Sequence, residues 1–61
     1  MKHREIIKLL ESDGWVRIRT SGSHAIYKHE HRLGIVVVPI HTRDLAKGTA
    51  AAILKQAGIK Q

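Results

Sequence analysis

No cysteine occurs among the 61 residues of this chain, and that limits what it can fold into more than any other feature. A domain of this size buries only about 60% of the surface its unfolded form exposes. Small domains commonly make up the deficit with disulfides or a thiolate-bound metal, and neither is open here. Helix and sheet packing, or a partner, must supply the stability. Internal repeats, low-complexity tracts and Ser- or Pro-rich linkers are absent, so residues 1–61 are expected to form one domain to which every segment contributes.

Hydrophobic periodicity sorts the segments. From Lys2 to Asp13, Ile6, Ile7 and Leu10 share a helical face with His3, while Arg4, Glu5, Lys8, Glu11 and Ser12 lie opposite. Asp13-Gly14 closes this helix, because glycine takes the left-handed conformation of a C-terminal cap without strain. Trp15 to Thr20 alternates, with Val16 and Ile18 expected on the buried side and Arg17 and Arg19 on the polar side. Ser21-Gly22 signals a turn, and Ser23 to His29 alternates again, which predicts a hairpin. Gly34 to Pro39 is β-branched and apolar, as a central strand would be, and Pro39 ends it. Ile40 to Leu45 reads as a connector. Thr49 to Ala57 then places Ala50, Ile53, Leu54 and Ala57 on one helical stripe before Gly58.

The expected architecture is α+β in the order α-β-β-β-α, a three-stranded antiparallel sheet with two helices packed on one face. Two helices at the ends of the chain can jointly cover only one side of the sheet. The other side is left for a ligand.

Eleven Lys and Arg against five Asp and Glu give a net charge of +6 at pH 7, which points to a polyanionic ligand. No apolar run approaches the 18 residues or more of a membrane span. The first residues turn amphipathic at once and lack a signal-peptide core, so the protein is expected in the cytoplasm, away from membranes.

RNA carries its own nucleophile, the 2′-hydroxyl. A ribonuclease therefore needs only to remove that proton, stabilise charge on the phosphate and protonate the leaving 5′-oxygen. An imidazole, with an ordinary pKa of about 6.5, suits both proton transfers. His24 directly follows the Ser21-Gly22-Ser23 turn, at an accessible end of the hairpin. Gly22 has no Cβ to keep backbone amides from a phosphate, and Ser23 has a hydroxyl to donate, although its ordinary role is that of a turn residue. Lys28 shares the strand face of His24, while Ala25 and Tyr27 fall on the opposite, core face, with the tyrosine hydroxyl reaching a polar partner at the edge. Arg17 and Arg19 are candidates for phosphate contacts, and Arg4 with Lys8 forms a like-charged i,i+4 pair. Trp15, beside a helix cap, reads as a core lid rather than a base-stacking platform. His29 and His31 read as surface residues, because a metal site would need further ligands; His41 reads either as facing RNA or as a solvated loop residue.

The motif Gly22-Ser23-His24-Ala25-Ile26-Tyr27 resembles the Gly-Ser-His-x-x-aromatic motif of the HicA-type (YcfA-like) toxins. The stretch from Ile6 to Trp15, the pair Val38-Pro39, Lys47-Gly48-Thr49 and the run Ile53 to Ile59 resemble the same family in the same order, so the likeness covers nearly the whole chain. It implies a double-stranded-RNA-binding-domain-like fold, cleavage of RNA including mRNA without a metal or other cofactor, His24 as general acid or base, and neutralisation by a HicB-type antitoxin. The chain is accordingly expected to be monomeric when free and part of a hetero-oligomer with the antitoxin. It departs from several such toxins in the short segment Lys28-His29-Glu30-His31-Arg32, where they carry a longer basic loop, and the departure bears on RNA preference. Two other readings fit the residues alone: a double-stranded-RNA-binding-type module that holds RNA without cutting it, and an adaptor whose basic face docks an acidic protein.

Overall fold

A computed structural model describes residues 1–60 of the chain. Its elements are α1 (His3–Ser12), β1 (Trp15–Ser21), β2 (His24–His29), β3 (Ile35–Pro39) and α2 (Lys47–Gln56). The strands form one antiparallel sheet in the order β1-β2-β3.

Ile6 and Leu10, one helical turn apart, are the fully buried residues of α1, with Ile7 and Leu9 packed beside them. The carboxylate of Glu5 accepts a hydrogen bond from the Lys2 backbone N–H at 3.3 Å and places negative charge where the helix dipole favours it. After α1 the chain reverses through Gly14, whose φ of 100° lies in the region that side chains rarely enter. A Cβ there would stand 2.8 Å from Nε2 of His29. Conformation and space both require glycine at this corner.

Both helices lie on the same side of the sheet. Ile6 and Leu10 of α1 and the expected stripe Ala50, Ile53, Leu54 and Ala57 of α2 share one cluster with Trp15, Ala25, Tyr27, Val36 and Val38. Leu45, which precedes α2, completes it, so the segment expected to be a plain connector contributes to the core. The connector is also tied to the N-terminus: Leu45 N–H donates to the Met1 carbonyl at 2.8 Å, and His3 N–H to the Arg43 carbonyl at 3.0 Å. The result is the α-β-β-β-α, double-stranded-RNA-binding-domain-like arrangement. Among the described residues no helix is long and apolar enough to cross a membrane.

Up to its bulge, the faces of β1 are the reverse of those expected. Paired residues of neighbouring strands share a face, and Arg17 is paired with the buried Tyr27, while Val16 is paired with Lys28. Val16 and Ile18 are accordingly 63% and 52% exposed. Trp15, buried in the core, sets the phase of the strand. The register then slips between Arg17 and Arg19, leaving Ile18 as an extra residue, and Arg19 emerges opposite Ile26 on the uncovered face.

Candidate functional site

The connection between β1 and β2 is a two-residue loop, Gly22-Ser23. Gly22 has φ 58°, and among the described residues none but glycines has a positive φ, which is the type II′ pattern, with glycine first. Such a turn matches the twist of the strands it joins, so β2 starts at once with His24. A Cβ at Gly22 would meet nothing within 4 Å, so the turn opens to solvent. Ser23 is half-buried, and its carbonyl accepts from Ile40 N–H at 2.7 Å.

His24 is paired with Ser21 on one side and Pro39 on the other. Its side chain is exposed, and no hydrogen bond holds it among the described residues. Strand alternation puts Ile26 and Lys28 on the same face. Through the pairing, Val16 and Arg19 of β1 and Ile35 and Val37 of β3 join them. Ile26 in the middle is shielded by these neighbours although no helix covers it. The face that carries His24 is thus an aliphatic platform bearing the cationic side chains of Lys28 and Arg19. Three surface hollows along α1 and α2 are lined without any residue of the sheet. An exposed imidazole on an uncovered sheet face suits a polymer passing over it better than a small molecule held inside a pocket.

Arg17 belongs elsewhere. Its Nε and Nη2 donate to the Tyr27 hydroxyl at 3.1 and 2.9 Å, and its guanidinium carbon lies 5.4 Å from the ring centroid. Gly22, Ser23 and His24 are therefore brought together at one end of the sheet, Arg19 and Lys28 share the face of His24 with Lys28 toward the other end of β2, and Arg17 is on the opposite face. The tyrosine has the polar partner at the sheet edge that its burial demanded.

Two other positions differ from their sequence-based assignment or add to it. His29, expected to be a surface residue, is half-buried beside Trp15, edge to face with ring centroids 5.2 Å apart. The His31 backbone N–H donates to its Nδ1 at 2.9 Å, which fixes the proton on Nε2, and Nε2–H donates to the Asp13 carbonyl at 2.7 Å. The ring thus joins the end of α1 to the end of β2, a role that no local pattern announces. Arg32 reaches back to the Asp13 carboxylate at 3.3 Å and lies against Gly58, so one charge of the short basic segment is held by the fold. His31, by contrast, is as exposed as expected. Among the described residues no three His, Cys, Asp or Glu side chains gather in a way that could hold a metal ion.

The sequence matches the family model described as the HicA toxin of bacterial toxin-antitoxin over residues 3–59. With all but a few terminal residues matched, the chain belongs to the HicA toxin family. Among solved structures it is similar to a chain of a toxin-antitoxin complex from Streptococcus pneumoniae, with 32% identity, a TM-score of 0.83, and coverage of 97% of this chain and 98% of that one. No curated protein matches it.

Proposed function

We propose that this HicA-family chain is an endoribonuclease toxin that cleaves RNA, mRNA included, with His24 as general acid or base and without a metal or other cofactor. The observation that carries the reading is the placement of His24: exposed, unheld by any hydrogen bond, at the mouth of a glycine turn, on the one sheet face that no helix covers. Arg19 and Lys28 contact phosphates from that same face, Gly22 admits a phosphate to the backbone, and the Ser23 hydroxyl donates to it. Arg17, held by Tyr27, adds its charge from the opposite face to the attraction that a net charge of +6 exerts on a polyanion.

The similar structure from Streptococcus pneumoniae is a toxin-antitoxin complex, and this supports a HicB-type antitoxin as partner, with the free chain monomeric and the complex a hetero-oligomer. A basic surface favours rapid capture by an acidic partner. In this reading the antitoxin covers the His24 face and so keeps an otherwise active ribonuclease from cytoplasmic RNA.

The test is incubation of pure protein with RNA in the presence of a metal chelator. Fragments are expected from the wild type and not from His24→Ala. Intact RNA bound by both would favour the non-cutting RNA-binding module instead. The same assay on the purified complex with the antitoxin should give no fragments; cleavage as fast as by the free chain would exclude masking.

A further inference from the structure

Of the five histidines, three have partners. His3 Nδ1–H donates to the Thr42 carbonyl at 2.9 Å, His29 is fixed at both ring nitrogens, and His31 lies 4.0 Å from the Glu30 carboxylate. Among the described residues only His24 and His41 have exposed imidazoles with no such contact. They also lie at the same end of the sheet.

The placement of His41 follows from the ladder. His24 is paired with Pro39, and the bond from Ile40 N–H to the Ser23 carbonyl continues the β2–β3 pairing one step beyond the last strand residue. Val36 and Val38 are buried under the helices and Ile40 packs against the same core, while Ile35 and Val37 are on the open face. His41 follows Ile40 at a bend of the chain, at the end of the sheet where β2 starts with His24. The Ile40–Ser23 bond leaves His41 beside the Gly22-Ser23 turn, where a Cβ on Gly22 would meet nothing within 4 Å. The backbone there is fastened on both sides: Ile40 to Ser23, and Thr42 to the side chain of His3 at the start of α1.

We propose that His41 is the second proton-transfer group of the site, working with His24 on a phosphodiester seated over Gly22; this rests on the ribonuclease reading above. One imidazole takes the 2′-hydroxyl proton as the 2′-oxygen bonds to phosphorus. The other gives its proton to the 5′-oxygen as the P–O5′ bond breaks. The products are a 2′,3′-cyclic phosphate and a 5′-hydroxyl, and the step consumes no water, metal or oxidant. Attacking and leaving oxygens lie on opposite sides of the phosphorus, so two imidazoles flanking the phosphate match the requirement.

Single-turnover cleavage and RNA affinity of the wild type, His24→Ala and His41→Ala, with chelator present, test this. One substrate is ordinary RNA and the other carries sulfur in place of the scissile 5′-oxygen, a leaving group that departs without a proton. His41→Ala is expected to lose on the order of 10²-fold or more in rate on ordinary RNA while keeping its affinity. The sulfur substrate should restore one of the two variants and leave the other slow, which assigns acid and base. Wild-type cleavage by His41→Ala, a rate loss matched by lost affinity, or a sulfur substrate that restores neither variant would overturn the role of His41 alone. Failure of the wild type to cut any RNA would overturn the ribonuclease reading, and this inference with it.

Discussion

Arg17 and Tyr27, paired across β1 and β2, form a closed polar unit on the helix-covered side of the sheet: the phenol is fully buried, and its hydroxyl accepts two hydrogen bonds from one guanidinium. The arginine thereby solves the problem of burying a hydroxyl in a small core.

Tyr27→Phe should therefore destabilise the protein by about 1 kcal/mol although the ring packing is kept, because the guanidinium loses its acceptor. Arg17→Ala should cost as much or more, since it leaves the buried hydroxyl without a partner. In a double-mutant cycle by urea denaturation the two losses should not add. Additive losses would show that the pair does not act as a unit.

The same relationship separates the two arginines in RNA binding. Removing Arg19 or Lys28 should lower affinity across unrelated sequences and reduce the slope of log affinity against log salt by about 0.7 for each phosphate of a single strand that is no longer neutralised. Arg17→Ala should change the slope less than Arg19→Ala, since its guanidinium is engaged on the other face. Filter binding or fluorescence titration over a salt series measures both slopes. Equal effects would place Arg17 in the RNA path.

How the sequence conveys this fold depends on which element is considered. Both helices, β2 and β3 are readable directly from periodicity, because each has one face against the core and so a single amphipathic solution: Ile6 with Leu10, Ala25 with Tyr27, Val36 with Val38. The alternation of β1 was legible and its phase was not. Val16 and Ile18 look like core residues, but an edge strand in a sheet covered on one side only can expose aliphatics, and the neighbouring Trp15 and the hydroxyl of Tyr27 decide the phase instead. The bulge at Ile18 then lets Arg19 change sides, which no two-residue period can encode. For the site, the turn and the shared face of His24 and Lys28 were legible because a two-residue glycine turn sets the register of the strand after it. The clamp by His29 was not, since both of its partners are backbone groups and one, the Asp13 carbonyl, lies sixteen positions away.

At the two glycine corners, substitution should separate strain from collision. Gly22→Ala meets open space, so its cost is that of holding a Cβ at φ 58°, about 1–2 kcal/mol. Gly14→Ala adds a collision with the His29 ring to a φ of 100° and should cost more. Thermal or urea unfolding of the two variants gives the order. A more stable Gly14→Ala would contradict the clamp geometry.

The sharpest contrast lies between two histidines of one strand. His24, at the start of β2, is exposed and has no hydrogen-bond partner among the described residues, so His24→Ala should alter stability by no more than about 1 kcal/mol. His29, at its end, carries two hydrogen bonds and an edge-to-face contact with Trp15. His29→Ala strips the Asp13 carbonyl and the His31 amide of their partners and should cost about 1–3 kcal/mol. Activity should divide the other way. Cleavage by His24→Ala falls by roughly 10²-fold or more at unchanged RNA affinity, because a general acid or base stabilises only the transition state. His29→Ala, assayed at a temperature where it remains folded, should cut at close to the wild-type rate per folded molecule. Measuring unfolding, affinity and single-turnover cleavage on both variants decides between the roles: a destabilised but inactive His24→Ala would make that residue structural, and a stable but inactive His29→Ala would move the chemistry to the other end of the strand.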